Sequence, residues 1–242
     1  MPPQIILYDL PSRPPRRCWS LNPWKTRMLL NYKQLDYQTA WVEYPDVEAL
    51  IKPHLPPNAA GISYTIPTVQ LPSGEWVMDS RTIAKRLEQL YPEPPLNIAL
   101  DPYLAEIEDL ADRTAQIVSP DFIPKIAKRV LGERSLGYWH RTREEWFMGQ
   151  KLDKVAAEKG GPQVYREAAP LVARVTELLE RNRAGPYFQG RIISYTDFIW
   201  ASFLHFFEKL GGDSLEVLIG PNKESHLALL EACRPWLARY DH

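Results

Sequence analysis

The chain has 242 residues and a formal net charge of −1, from 29 Lys and Arg against 30 Asp and Glu. Hydrophobic residues make up 45% of it and charged residues 24%, which is typical of a globular protein. The near-neutral charge argues against nucleic-acid binding, and no apolar run reaches the ~18 residues that a membrane span requires. Two cysteines, a start without a basic signal-like region and five histidines without metal-ligand spacing predict a cytoplasmic protein that holds no metal.

Proline divides the chain into two parts. Of its 23 prolines, 16 lie in residues 1–102 and 7 in residues 103–242. Because proline interrupts helices, we expect short elements in the first part and long helices in the second. The segment Tyr91–Pro95 contains three prolines, so it is stiff and cannot be part of a helix. The sequence therefore predicts a domain over residues 1–92, a linker over 93–100 and a second domain over 101–242.

The first part is predicted to fold in the order strand, helix, strand, helix, strand, strand, helix. The strands are short apolar or alternating runs at Ile5–Tyr8, Tyr37–Val42, Thr68–Leu71 and Glu75–Met78. The helices are expected to start at a cap on Asn22 with Pro23 in the first position, at Asp46, and at a cap on Asp79 or Ser80. A parallel βαβ unit followed by an antiparallel ββα unit makes a small α/β sheet domain.

The second part is predicted to contain helices only. Apolar side chains recur at helical spacing in residues 104–118, 164–178, and from 227 onwards. Residues 198–210 are apolar on nearly every side, so we expect this helix at the centre of a bundle. Its aromatic residues are predicted to belong to the core and not to a ligand cage.

Four short segments carry a family resemblance: Thr65–Thr68 before the hairpin, Asp79-Ser80 at a helix start, Ser194–Asp197 before the apolar helix, and Cys18–Arg27. With them the chain resembles the cytosolic glutathione transferases, and most of all a fungal-specific class related to bacterial β-etherases. The resemblance implies a thioredoxin-like N-terminal domain of βαβαββα order, an all-helical C-terminal domain, glutathione as co-substrate and a homodimer. It also makes Ser194–Asp197 a capping element that serves folding and not chemistry.

The resemblance assigns the glutathione site residue by residue. Pro67 is expected to follow a cis peptide bond, which turns the backbone N–H and C=O of Ile66 toward the peptide ligand. Ser80 would bind the γ-glutamyl carboxylate at a helix N-terminus, where free N–H groups favour an anion. Asp79 would help to hold the α-amino end of glutathione.

Two further parts of the site are the contact to the glycine end of glutathione and the acceptor-binding surface. The glycine carboxylate of glutathione is expected to meet a basic residue, either Lys52 or His54. The acceptor is expected to be a hydrophobic, planar molecule that lies between the domains against mostly aromatic side chains. The predicted acceptor-binding residues are Tyr8, Trp19, Trp24, Phe122, Pro124 and Tyr138.

A hydroxyl or amide at the start of the first helix suffices to hold the glutathione thiolate. A thiol with a pKa near ~8.5 is only about 3% ionised at pH 7, and lowering that pKa by ~2 units requires about 2.7 kcal/mol. A helix N-terminus contributes ~0.3–1 kcal/mol and a charge-assisted hydrogen bond ~1.5–3 kcal/mol. We predict Ser20 as the principal donor with Asn22 assisting. Tyr8, as in tyrosine-type classes, and Cys18, as in thioltransferase-like relatives, are the alternatives.

Three functions remain open at this point. The first is the joining of glutathione to a hydrophobic aromatic electrophile, or glutathione-dependent cleavage of an aryl ether. The second is a non-catalytic carrier of aromatic ligands. The third is a thiol-disulfide reductase that works through Cys18.

Overall fold

A computed structural model describes residues 4–221 and 223–239. The chain forms two compact units. The first contains the described residues up to Pro95, together with Gly132–Ser135 and the described residues from Trp236 onwards. The second contains Leu96–Leu131 and Leu136–Pro235. The first unit is thus completed by two segments from later in the chain.

The first unit is built around a four-stranded mixed sheet. Its strands are β1 (Ile5–Asp9), β2 (Tyr37–Trp41), β3 (Thr68–Gln70) and β4 (Trp76–Met78), in the spatial order β2-β1-β3-β4. Its helices are α1 (Leu21–Tyr32), α2 (Val47–Ile51) and α3 (Ser80–Leu90), with one turn of 3-10 helix before α2 at Tyr44–Asp46. Strand β1 pairs in parallel with β2 and antiparallel with β3, and β3 pairs antiparallel with β4. This is the predicted thioredoxin-like βαβαββα order, which is confirmed.

The start of α1 differs from the prediction. Ser20 is the N-cap, with extended backbone angles, and its C=O accepts the bond from the Trp24 N–H at 3.2 Å. The predicted cap on Asn22 is therefore wrong, and Pro23 is the third residue of the helix and not the first. Proline is tolerated there because the first N–H groups of a helix have no partner within it.

A buried ion pair fixes α1 against the sheet. The Arg27 guanidinium donates through Nε to Asp9 at 2.8 Å and through Nη2 to the Thr39 hydroxyl at 2.9 Å. Both charged side chains are fully buried. Because Asp9 ends β1 and Thr39 lies on β2, one side chain sets the position of α1 relative to both parallel strands.

The chain end contributes to the first unit. The Asn31 amide on α1 donates to the C=O of Trp236 at 2.7 Å, and Arg239 donates to the C=O of Tyr37 at 2.5 Å. The Arg239 guanidinium also lies 4.0 Å from the centre of the Tyr37 ring. These contacts tie the described end of the chain to α1 and β2.

The second unit is built from helices, as predicted: α4 (Leu104–Arg129), α5 (Glu133–Trp146), α6 (Leu152–Lys159), α7 (Pro162–Glu180), α8 (Tyr195–Leu210), α9 (Ser214–Ile219) and α10 (Lys223–Leu237). Helix α8 is its centre, because Phe198, Trp200, Phe203 and Phe207 are all buried. Trp200 stacks on Phe203 at a ring distance of 5.0 Å, so these aromatic residues form core, as predicted.

The capping element of α8 has the predicted geometry. The Asp197 carboxylate accepts the backbone N–H of Ser194 at 2.7 Å and its hydroxyl at 3.1 Å. It also accepts the backbone N–H of Phe188 at 2.9 Å. One buried carboxylate thus satisfies the helix start and the loop that precedes it.

Candidate functional site

The segment Thr65–Pro67 contains one residue whose backbone groups have no partner among the described residues. The peptide bond between Ile66 and Pro67 is cis, as predicted. The N–H of Thr65 donates to the sulfur of Met78 at 3.2 Å, and the C=O of Thr65 accepts the hydroxyl of Thr68 at 2.9 Å. The C=O of Pro67 accepts the N–H of Asp79 at 3.2 Å. No described residue bonds to the N–H or the C=O of Ile66, although buried backbone groups normally find partners.

The start of α3 carries the next two predicted residues. Asp79 is the N-cap, and its Oδ1 accepts the N–H groups of Arg81 and Thr82, both at 3.0 Å. Its other oxygen, Oδ2, has no partner among the described residues. Asp79 has a φ of +77°, a left-handed conformation that is strained for a residue other than glycine and is often found at binding sites. Ser80 is the first residue of α3 and is 8% exposed.

The start of α1 carries the two predicted thiolate donors. Ser20 does not use its hydroxyl to cap the helix, and that hydroxyl has no partner among residues 4–221 and 223–239. Asn22 is exposed at the second helical position. The first turn of α1 contains no acidic residue that would neutralise the partial positive charge of the helix start. A hydroxyl and a helix N-terminus are therefore available together.

Cys18 is not suited to thiolate chemistry. It is buried beside Asp9, and burial together with the Asp9 carboxylate raises the pKa of its thiol well above the usual range. A reactive cysteine needs the opposite, an exposed and positive setting. The alternative that used Cys18 as the catalytic residue lacks support from its surroundings.

Tyr8 lies on the face of the sheet that points away from α1. Its neighbour Asp9 bonds Arg27 of α1, and successive side chains of a strand point to opposite faces. The Tyr8 ring stacks on Trp76 of β4 at 4.7 Å, and its hydroxyl lies 3.4 Å from the Gln70 amide oxygen. Burial raises the pKa of Tyr8. The tyrosine-type alternative therefore does not fit this geometry, and neither does contact of Tyr8 with an acceptor at α1.

The two candidates for the glycine carboxylate already have partners. The Lys52 ammonium, at the end of α2, pairs with Glu48 at 3.0 Å on an exposed surface. The His54 ring stacks on Trp76 at 4.0 Å. Lys52 would have to exchange or share its partner to bind a carboxylate, whereas stacking uses only the face of the His54 ring. Both assignments stay predictions.

The predicted acceptor-binding residues divide between the units. Trp19 and Trp24 belong to the first unit and are 6% and 1% exposed. Phe122 and Pro124 belong to the second and are buried, with Phe122 packed edge-on against Phe206 at 5.4 Å. Buried side chains of this kind pack in a core, so an acceptor contact for Trp19, Trp24, Phe122 or Pro124 stays a prediction. Tyr138 is half-buried, and the Arg141 guanidinium lies 5.3 Å from its ring centre.

Sequence reasoning missed Thr68 and Met78 as parts of the site. Thr68 stands beside the Ile66-Pro67 motif, and Met78 directly precedes the Asp79-Ser80 pair. Thr68 reaches Thr65 from three residues along the chain, and the pairing of β3 with β4 brings the Met78 side chain there as well. The described residues contain no group of three or more His, Cys, Asp or Glu that could hold a metal ion.

Two family models match the chain over most of its length. Residues 19–90 match the glutathione S-transferase N-terminal domain, and residues 107–236 match the glutathione S-transferase C-terminal domain. The chain belongs to the glutathione S-transferase family. Its predicted resemblance to the glutathione transferases is thereby confirmed.

Relatives of this transferase-family chain include fungal proteins. The glutathione S-transferase-like protein ustS of Aspergillus flavus is 28% identical over 91% of this chain and 86% of that protein. The structure of glutathione transferase GSTFuA2 of Phanerochaete chrysosporium aligns with 28% identity and a TM-score of 0.82, over 96% of this chain and 98% of that chain. The structure of CsGST63524 of Ceriporiopsis subvermispora, solved in complex with glutathione, aligns with 27% identity and a TM-score of 0.81, over 95% of this chain and 97% of that chain. None of the described helices is both long and apolar enough to cross a bilayer.

Proposed function

We propose that this chain is a glutathione transferase that joins glutathione to a hydrophobic aromatic electrophile, or uses it to cleave an aryl ether. The observation that carries the proposal is the Ile66 backbone, whose N–H and C=O have no partner among the described residues while their neighbours are all bonded. One N–H and one C=O on the same residue match one residue of an extended peptide, as two adjacent strands do. The cysteinyl residue of glutathione has this chemistry.

The start of α3 supplies the second anchor. The γ-glutamyl carboxylate would accept bonds from the Ser80 hydroxyl and from N–H groups of the first turn, where the helix dipole favours an anion. The Asp79 Oδ2 would face the α-amino group, since Oδ1 is already committed to capping the helix. The carboxylate and the amino group are on the same α-carbon, so contacts to both fix the orientation of the γ-glutamyl end.

The start of α1 supplies the chemistry. The Ser20 hydroxyl would donate to the glutathione sulfur and, with Asn22 and the helix dipole, favour the thiolate. The thiolate attacks the electrophilic carbon of the acceptor, a carbon–sulfur bond forms, and the leaving group departs with the bonding electron pair. No general base is required, because the thiol proton is already lost to solvent.

The aromatic acceptor and the homodimer in this proposal come from the family resemblance, and the cytoplasmic location from the sequence composition. A disulfide reductase is not favoured, because the Cys18 thiol is buried with a raised pKa.

Calorimetry with glutathione tests the proposal directly. Ser80→Ala should weaken binding about tenfold or more, because a hydrogen bond to a charged group contributes ~1.5–3 kcal/mol. Ser73→Ala, an exposed serine of the same unit, is the matched control and should bind as the wild type does. Turnover of a chromogenic aryl halide by the wild type distinguishes a transferase from a carrier. A wild-type protein that does not bind glutathione would refute the proposal.

A further inference from the structure

Both backbone groups of Thr65 are held by one pair of side chains. Thr68 on β3 and Met78 on β4 are directly opposite each other in the antiparallel ladder. Directly opposite residues place their side chains on the same face of a sheet. From that face the Met78 sulfur accepts the N–H of Thr65 at 3.2 Å, and the Thr68 hydroxyl donates to the C=O of Thr65 at 2.9 Å. We name this three-residue arrangement the Thr65 clamp.

The clamp determines the direction of a ligand-binding group. The C=O of Thr65 and the N–H of Ile66 belong to the same planar peptide unit, so the bond that orients one orients the other. The Thr68 hydroxyl therefore sets the direction in which the Ile66 N–H points. Met78 fixes the preceding peptide plane, and the bond from the Asp79 N–H to the Pro67 C=O fixes the plane between Pro67 and Thr68. Ile66 is left as the single residue between anchored neighbours.

Two of the three clamp residues are buried. Thr68 is fully buried and Met78 is 8% exposed, whereas Thr65 is half-buried. On the buried side, the loss of either side chain removes a partner that the protein does not replace, and the Thr65 groups would shift to find another. A shift of the peptide plane by a few tenths of an ångström is enough to misalign a short hydrogen bond from Ile66 to its ligand.

We infer that Thr68 and Met78 are positioning residues for glutathione, which act through Thr65 on the backbone of Ile66. This inference rests on the proposed function, since it takes glutathione to be the ligand of Ile66. Neither side chain touches the reacting sulfur in this account. Their loss should weaken glutathione binding and leave the chemical step unchanged at saturating glutathione.

Met78→Leu tests the sulfur, because leucine keeps the apolar volume and removes the acceptor. We expect the dissociation constant and the KM for glutathione to rise about threefold to tenfold, the range of one modest hydrogen bond, with kcat unchanged. Met78→Gln returns an acceptor oxygen at a similar reach and should bind more tightly than Met78→Leu. Met28→Leu is the matched control, because Met28 is a fully buried methionine of the same unit, on α1.

Thr68→Val and Thr68→Ser test the hydroxyl in the same way. Valine keeps the shape and removes the donor, so glutathione binding should weaken; serine keeps the donor and should bind nearly as the wild type does. Amide hydrogen exchange of Thr65 without glutathione reports on the clamp alone, and it should speed up in Met78→Leu.

The outcomes separate the inference from the proposed function. A wild-type protein that does not bind glutathione refutes the function, whatever the exchange of Thr65 shows. A wild type that binds, with Met78→Leu and Thr68→Val binding equally well, refutes the clamp. Equal weakening by Met28→Leu, or no gain from Met78→Gln over Met78→Leu, would show that packing and not the hydrogen bond is responsible.

Discussion

Replacing Ser20 by alanine removes a hydroxyl that the protein does not use elsewhere. Ser20 is the N-cap of α1, yet its side chain makes no capping bond, and it has no partner among the described residues. The substitution should therefore leave the stability of α1 nearly unchanged. What it removes is a donor to the glutathione thiolate, and a hydrogen bond to a charged group is worth ~1.5–3 kcal/mol. At about 1.4 kcal/mol per pKa unit, the pKa of bound glutathione should rise by about one to two units.

The thiolate absorbs in the ultraviolet, so its titration in the bound state measures this pKa. We expect the largest upward shift in Ser20→Ala and a smaller one in Asn22→Ala, since Asn22 lies two residues further into the helix and its side chain is exposed to solvent. Tyr8→Phe should change almost nothing, because Tyr8 lies on the face of the sheet away from α1. Cys18→Ser should likewise have almost no effect. A dominant shift in Tyr8→Phe would refute the reasoning and make this a tyrosine-type enzyme.

Two further predictions concern the second unit. Asp197→Ala leaves the buried N–H groups of Phe188 and Ser194 without their carboxylate, so the free energy of unfolding should fall by about 3 kcal/mol. The folded fraction should keep its specific activity. A normal melting curve with lost turnover would contradict this. Burial lowers the pKa of His226 to about 4, so between pH 6.5 and 4 the unfolded chain binds a proton that the folded chain does not, and stability falls as the pH falls. In urea titrations between pH 6.5 and 4, the free energy of unfolding of His226→Gln should fall by about 3 kcal/mol less than that of the wild type. Parallel pH profiles of the two proteins would contradict this prediction.

The elements of the first unit could be predicted because their patterns are local. The four apolar or alternating runs predict the bounds of the strands to within one residue of those in the structure. The start of α1 could not be predicted, because Ser20 and Asn22 are both good caps and proline is accepted at several positions of a first turn. Only the backbone angles of Ser20 decide between them.

The candidate site could be predicted where a motif carries it along the chain. Ile66-Pro67 and Asp79-Ser80 are predicted in this way, and the structure adds a cis bond before Pro67 and an Ile66 backbone without a partner among the described residues. The contact of Met78 with Thr65 depends on the register between two strands, which no single motif encodes. The acceptor residues stay predictions for a different reason. Trp24 has the spacing of both a core and a surface aromatic residue, and tertiary packing alone decides which it is.

The contacts of the chain end with the first unit constrain how that unit is completed during synthesis. Trp236 and Arg239 supply a carbonyl and a guanidinium that Asn31 and Tyr37 bind. A fragment that stops at Pro95 would lack these partners and would expose the Tyr37 ring. On the ribosome the sheet and α1 can form early, but these bonds cannot close until residues 236–239 have emerged. Completion of the first unit therefore follows synthesis of the whole second unit, which ends at Pro235.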